Sequence, residues 1–373
     1  YQMSSLLMAI VINGMSLEET INLTDIFIKS GEIYDLSSVN DIIIDKHSTG
    51  GVGDTTTLVV GPIVAACGCH MAKVSGKGLG ITGGTIDKLE SIPGFNVNLT
   101  EKQFITNLKN VGFVDSSQTK KLVPLDKIIY NLRNNSGTTE SLPLIASSIM
   151  SKKIASGADI ILIDIKVGKG ALIKTKKDAT KLSTWMKKIG NVYNKKVVTI
   201  ITDMNTPLSN SIGNRLEVEE AIKVLKGEKC RLYDISKEIA SILISLAKKV
   251  TIDEAGNLVD EVINNKKAYK KFIEFCEAQG GDIKKLKIVA NQLVIKSEKN
   301  GVLKSIDAMK IGELSLRLGA GKINDKGKID YNAGIKIFKN IGDKVKAGDI
   351  LATLYTNRKI KLSNDDINCF IIE

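Results

Sequence analysis

Between Asp45 and Glu90 the chain collects residue types that bind an oxyanion. DKHSTGGVGDTTT leads into an apolar run of helix length, Thr57 to Cys67, then a short strand-like run, Cys69 to Val74, then SGKGLGITGGTIDKLE. Gly50, Gly51 and Gly53 let the backbone turn its N–H groups toward a ligand with no side chain in the way. Lys46 and Ser48 add a point charge and a hydroxyl to this first loop. Thr55, Thr56 and Thr57 stand where the next helix begins, so its unpaired N–H groups face the same anion. The pattern is neither a Walker A loop nor a dinucleotide fingerprint, because no Gly-Lys-Ser/Thr follows the glycines. A second glycine-rich loop, Ser75 to Thr85, supplies another wall, and both loops are expected to look into one phosphate-sized space.

DKHSTGGVGD and SGKGLGITGGTIDKLE resemble the thymidine and pyrimidine-nucleoside phosphorylase family. The likeness continues through YNLR, SLPLIASSIMSKKIASGAD, ITDMNTPLSNSIGN, LGAG and IGDKVKAGDILATL, nearly the whole chain. It implies reversible phosphorolysis in nucleoside salvage: a pyrimidine nucleoside and inorganic phosphate give the free base and a pentose 1-phosphate. Lys46, Ser48, Thr57, Ser75 and Thr85 match the family's phosphate positions, with Lys73 beside them. His47, Arg133, Ser148 and Lys152 match its base-binding positions. The C–N bond breaks through an oxocarbenium-like state that pushes negative charge onto the base, so donors at His47, Arg133 and Lys152 would carry the catalysis. From the residues alone, Arg133 equally suits holding a helix C-terminus, Ser148 suits helix packing, and Lys152 beside Lys153 suits a solvated pair.

The same resemblance places a lysine at Lys73 in relatives that accept uridine as well as thymidine, and a methionine in several thymidine-restricted ones. It therefore implies activity on uridine, deoxyuridine and thymidine. It also implies one potassium ion per subunit, held by Gly53, Thr55, Leu208, Ser211 and Glu220, although an exposed helix face is an equal reading of Glu220. No organic cofactor is implied. A homodimer is, with further helical residues ahead of the position matching Tyr1. Four departures stand out: Lys77 for the signature arginine, Ile81 for a histidine, Lys169 for a small residue, and Asn134 to Gly137 for a more acidic loop, expected to loosen Arg133.

The 373 residues leave room for two or three domains, and 43% apolar with 25% charged residues is ordinary for a globular chain. The net charge of +12 invites a nucleic-acid reading, but the lysines are scattered, arginine is scarce and aromatics are only 5%, which argues against nucleic acid. No apolar run approaches the roughly 18 residues of a spanning helix. The first residues lack a secretory pattern, so no membrane partner and a cytoplasmic location are expected. Cys67, Cys69, Cys230, Cys276 and Cys369 are odd in number and irregularly spaced, which argues against a disulfide framework. Cys67-Gly-Cys69-His70 lacks a second ligand pair, so Cys67 reads as a small buried hydrophobe.

These residues need an α/β scaffold. Ser16-Leu-Glu-Glu19 and Thr100-Glu-Lys-Gln103 are capping boxes. Met3 to Met15 and Thr138 to Ala155 read as helices, the latter putting Ser148 and Lys152 on one face. Asp41 to Ile44, Ile160 to Val167 and Val197 to Asp203 read as strands of βαβ units, and Val218 to Lys287 as a helical outer layer. The expected fold is an α-helical lobe (1–38 and 120–157), a larger α/β lobe with a mixed central sheet (39–119 and 158–290), and a β-rich, barrel-sandwich-like α+β domain (291–373) with turns at Asn324 to Gly327, Asn332 to Gly334 and Gly342-Asp343. Ala308-Met-Lys-Ile311 resembles a biotin-attachment tetrapeptide, but it precedes the hammerhead-like IGDKVKAGDILATL instead of following it, so Lys310 is expected to be unmodified and solvated. The rival readings are a thymidine-restricted phosphorylase, an anthranilate-phosphoribosyltransferase-like enzyme, and a non-catalytic lysine-rich nucleic-acid-binding protein.

Overall fold

The computed structural model describes residues 1–78, 81, 83–322 and 327–373. Helices α1 (Gln2–Asn13) and α2 (Leu17–Lys29) lead into β1 (Ile43–Ser48), α3 (Thr56–Ala66), β2 (His70–Ser75), α4 (Thr85–Glu90), α5 (Glu101–Val111) and β3 (Phe113–Ser117). Then come α6 (Pro124–Ser136), α7 (Leu142–Ala155), β4 (Ile160–Val167), α8 (Lys176–Val192), β5 (Lys196–Asp203) and β6 (Ser211–Ile212). Four helices follow, α9 (Asn214–Leu225), α10 (Arg231–Lys248), α11 (Ile252–Asn264) and α12 (Lys267–Ala278). The chain closes with β7 (Asn291–Lys296), β8 (Gly301–Ile306), α13 (Ala308–Leu318), β9 (Gly334–Ile337), β10 (Lys344–Val345), β11 (Ile350–Thr356), α14 (Asn364–Ile367) and β12 (Phe370–Ile372).

Five strands form the central sheet in the order β3-β2-β1-β4-β5. The sequence predicts a mixed sheet; every pairing between these strands is parallel, and an isolated antiparallel bridge between Gly51 and Ala171 lies beyond the strand ends. Helical crossovers between successive strands return the chain to the same edge, which enforces parallel pairing. β6 belongs to a separate antiparallel sheet, β6-β9-β11-β7, so residues beyond 291 are tied into the larger lobe by backbone pairing. The chain runs from β1 outward to β2 and β3, then returns to the other side of β1 with β4. Strand order therefore reverses beside β1, and the carboxyl ends of β1, β2 and β4 open the crevice where such sheets bind ligands.

β1 is longer than the sequence predicts. Lys46, His47 and Ser48 are strand residues paired with Leu162, Ile163 and Asp164 of β4, and not part of a loop. Pairing against the apolar β4 continues until Gly50, at φ 92°, turns the chain away. α3 packs wholly inside: Thr56 to Ala65 are all buried, and Gly61 leaves room for the Phe113 ring, which a Cβ would meet at 2.4 Å. Both capping boxes form as expected, at Ser16 with Glu19 and at Thr100 with Gln103. The helix expected from Thr138 starts instead at Leu142, with Pro143 in its first turn, because the carbonyls of Thr138 and Thr139 are bonded to Arg133.

Leu7, Phe27 and Tyr34 pack with Val74 and Val114 on one face of the sheet, and Met150 of α7 packs with Ile161 and Ile163. The other face is covered by α3, α10 and α12. Cys67 is half-buried, not buried, while Cys69 is buried; all five thiols are free. Lys310 lies half-buried in the first turn of α13, where Asp307 accepts from the Met309 and Lys310 N–H groups, so it is a helix residue rather than a fully solvated one. Of the turn predicted at Asn324 to Gly327, all but Gly327 lies outside the described residues. No described helix is long and apolar enough to cross a membrane.

Candidate active site

The β1–α3 connection builds the first wall. Asp54, unremarked in the sequence reading, is its organiser: its carboxylate accepts from the Thr56 N–H at 3.2 Å and the Thr56 hydroxyl at 2.6 Å, capping the start of α3, and it also takes the Ser48 hydroxyl. Lys46 and Lys166 each place Nζ 4.0 Å from this carboxylate, and Lys46 donates to the Thr56 hydroxyl. Burial alone would raise the Asp54 pKa, but Lys166, Lys46 and Lys88 outweigh it and hold the group well below the usual carboxylate range. Lys46 is fully buried, and that burial lowers its own pKa against the pull of Asp54. Gly53 sits at φ 70° with Ser209 where a side chain would go, so the turn accepts only glycine.

Lys88 joins the two loops. From α4 its Nζ donates to the Asp54 carbonyl at 2.7 Å and toward the Gly83 carbonyl at 3.4 Å, and it pairs with Glu217 Oε2 at 2.9 Å. Through this side chain the two loops are joined to each other and to α9. Thr57 is buried in the first turn of α3, and Thr85 opens α4 behind Gly84. Among the departures, Lys77 pairs with Glu90 at 2.7 Å, Lys169 pairs with Asp307 at 3.2 Å, and Ile81 packs against Gly312.

α6 and α7 carry a second cluster. Lys152 Nζ lies 2.5 Å from Asp126 Oδ2 and donates to the Ser148 hydroxyl at 2.8 Å, so it is no solvated surface lysine. Arg133 is 2% exposed and donates to the carbonyls of Thr138, Thr139 and Leu144 at 2.9–3.1 Å. None of these three partners lies in the Asn134 to Gly137 segment. Three of the five guanidinium N–H groups are committed and two remain. The ring of Tyr130 lies 5.7 Å from the Arg133 guanidinium and 5.8 Å from Lys152 Nζ. His47 stands on β1, half-buried, and desolvation followed by the charges of Lys153, Lys73, Lys152 and Lys46 drives its pKa well below the usual histidine value. At neutral pH it is an uncharged imidazole, able to donate one N–H but poorly suited to deliver a proton.

Beneath both walls lies a buried ionic layer. Lys73 Nζ donates to the Lys46 carbonyl at 2.5 Å, and Lys153 Nζ lies 2.8 Å from Asp45 Oδ2 and donates to the Val74 carbonyl at 3.0 Å. Ser75 donates to Asp115 Oδ2 at 2.9 Å. Lys73 and Asp115 are direct partners in the β2–β3 register. Burial first, then the charge of Lys153, pulls the Lys73 pKa down.

The five residues matched to a cation are brought partly together. The Ser209 hydroxyl donates to both the Gly53 and Ser211 carbonyls, and the Leu208 N–H is bonded to the Val52 carbonyl at 3.0 Å. Glu220 is 6% exposed, so the exposed-face reading of this residue does not hold; it accepts from the Asn210 N–H through Oε1, while its buried Oε2 has no partner among the described residues. The Thr55 hydroxyl is committed to Glu217 at 2.6 Å.

Sequence reasoning missed Asp54, Lys88, Asp115, Asp126, Lys166 and Glu217. For Asp54 a signal existed, since Asp before Thr-Thr-Thr is an N-cap pattern. For the others none did, because each acts from a different element.

A family model for the glycosyl transferase family a/b domain matches residues 40–269, and one for the pyrimidine nucleoside phosphorylase C-terminal domain matches residues 302–365. The chain is 47% identical to the pyrimidine-nucleoside phosphorylase of Bacillus subtilis over 367 residues, covering 96% of this chain and 85% of that one. Against the enzyme of the same name from Geobacillus stearothermophilus it is 44% identical at the same coverage. Among solved structures, anthranilate phosphoribosyltransferase from Thermus thermophilus aligns at a TM-score of 0.56 and 14% identity over 74% of this chain and 94% of that one, a likeness of fold alone. With two matching family models along the chain and this identity over nearly its whole length, the chain belongs to the pyrimidine-nucleoside phosphorylase family within the glycosyl transferase family that shares this α/β domain.

Proposed function

We propose that this protein catalyses reversible phosphorolysis of pyrimidine nucleosides, with phosphate on the Lys46, Ser48, Thr57, Ser75 and Thr85 side and the base against His47, Arg133, Ser148 and Lys152. The observation that carries the reading is Lys153 of α7, whose bonds to Asp45 of β1 and the Val74 carbonyl of β2 bring two differently built clusters together. One is made of hydroxyls, backbone N–H groups and lysines bridged by Lys88; the other is the Lys152–Ser148–Asp126 cluster with the two unused Arg133 donors. Phosphate must attack the anomeric carbon while keeping part of its charge, which suits hydroxyls and N–H groups with few lysines. Holding both reactants in place can remove about 7–11 kcal/mol of barrier. As the C–N bond lengthens, Lys152 and Arg133 stabilise charge arriving on the ring oxygens, and neutral His47 donates to a carbonyl.

The residues also fit a potassium ion. The unpartnered Glu220 Oε2 and the Gly53 and Ser211 carbonyls form an oxygen-only donor set. Bound there, the ion would supply fixed positive charge that offsets the buried carboxylate and stiffens the first loop. We further infer a cytoplasmic location and a homodimer, the dimer supported by α1, where Leu6 and Ile12 are exposed apolar residues and only Leu7 is buried. The direct test is to incubate the protein with uridine, deoxyuridine or thymidine and inorganic phosphate and to assay the free base. Phosphate-dependent release of uracil and thymine is expected, and its absence overturns the reading.

A further inference from the structure

Asp115 is a fully buried acid on β3 whose presence the reaction chemistry does not explain. One oxygen accepts the Ser75 hydroxyl at 2.9 Å, and the other, Oδ1, has no partner among the described residues. The backbone around it is clamped: Gln279, just past α12, donates from its side chain to the Asp115 carbonyl at 3.0 Å and receives the Asp115 N–H at 3.4 Å. Lys73 and Ser75 face the carboxyl from β2, Lys153 from α7 and Asp45 from β1. Lys73 Nζ is already committed to the Lys46 carbonyl. The carboxyl thus sits low in a mixed-charge pocket directly behind a hydroxyl assigned to phosphate.

A serine has one hydrogen to give and two lone pairs. While Asp115 is ionised, the Ser75 hydrogen points down at the carboxylate, so only lone pairs face the ligand, and a buried negative charge stands behind them. A fully ionised oxyanion then gains nothing from Ser75. With Asp115 protonated, the carboxylic O–H donates to Ser75 Oγ, and the Ser75 hydrogen is released to donate to a ligand oxygen. We propose that Asp115 is a positioning residue that links anion binding at Ser75 to the uptake of one proton from water. The inference rests on the phosphate reading of the Ser75 loop. Burial pushes the Asp115 carboxyl upward, with Lys73 and Lys153 opposing, which brings the exchange within reach of ordinary pH.

Sulfate separates the protein's proton from the ligand's own, because it stays a dianion throughout the neutral range. Its inhibition constant, measured against varied phosphate between about pH 6 and pH 8, should rise with pH in the wild type and approach about tenfold per pH unit for one linked proton. In Asp115→Asn and Asp115→Val the constant should be flat and, at the upper end, lower than in the wild type, with the KM for nucleoside unchanged. Valine suits a buried strand position and carries the test if the asparagine variant does not fold. Competitive inhibition that is flat in the wild type, or equally pH-dependent in both variants, overturns the role of Asp115 and, in the second case, makes Lys73 the titrating group. Absence of any competition between sulfate and phosphate removes the anion site, and the inference with it.

Discussion

Replacing Lys88 by methionine tests whether one buried cation holds the two loops as a unit. The side chain is 2% exposed, and its Nζ serves Glu217, the Asp54 carbonyl and the Gly83 carbonyl. Methionine keeps the length and loses the charge. Glu217 is then left buried with only the Thr55 hydroxyl at 2.6 Å and the Gly213 N–H at 3.1 Å as donors. Removing one partner of a buried pair costs about 3–5 kcal/mol, most of it the penalty of the stranded charge. Part of that cost should appear as local loosening of the loops, because a hinge can open with less loss than the whole fold. Urea denaturation and thermal melting report the global share, with a drop of at least about 5 °C expected. Steady-state kinetics report the local share as a raised phosphate KM with the nucleoside KM little changed. Adding Glu217→Gln should recover more than about 1 kcal/mol relative to the sum of the single variants. If Lys88→Met costs under about 1 kcal/mol, couples additively with Glu217→Gln, and leaves the phosphate KM alone, the two loops are not joined through Lys88.

Four further outcomes are expected. Lys73→Met should lower turnover of uridine selectively; equal loss with uridine and thymidine refutes a role in substrate range. Asp126→Asn should move the alkaline limb of kcat to lower pH, because burial already lowers the Lys152 pKa and Asp126 is what opposes it; an unmoved limb means Lys152 keeps its proton without Asp126. The folded-state pKa of His47 is depressed, so its contribution to stability is complete above the unfolded value of about 6.5 and is lost as pH falls below it; for the same reason His47 should add no break to kcat/KM for the nucleoside near that pH, and a break abolished by His47→Asn contradicts a neutral imidazole. Potassium should raise the melting temperature of the wild type and not of Glu220→Gln, and an equal rise in both places the ion elsewhere.

What the sequence made legible follows the range of the interactions. Gly50 and Gly53 announced a turn because their positive φ is a local requirement, and the capping boxes at Ser16 and Thr100 are complete within four residues. β4 could be read because a fully buried parallel strand is apolar throughout, and β5, half-exposed at the sheet edge, through its β-branched run. β1 was cut short because its last three residues are polar, yet its pairing with β4 overrides composition. Ser148 and Lys152 were placed together by helix spacing alone, whereas Asp126, which holds Lys152 from α6, lies 26 positions away and has no local signature.

The same distinction explains why the ionic layer under the site stayed hidden. Lys46, Lys73, Lys153 and Lys166 look in sequence like members of a scattered surface lysine population, and each is buried. A buried lysine is tolerable only beside a carboxylate or carbonyls, so every one implies a partner that composition cannot name. The partners Asp54, Asp45 and Asp164 come from β1, its following loop and β4, the strands flanking the point where sheet order reverses. Part of the lysine population is thus not a solvated coat at all. It is charge carried inward by a sheet whose topology brings the carboxyl ends of its central strands together, where a dianionic substrate can be held by groups already desolvated and fixed before it arrives.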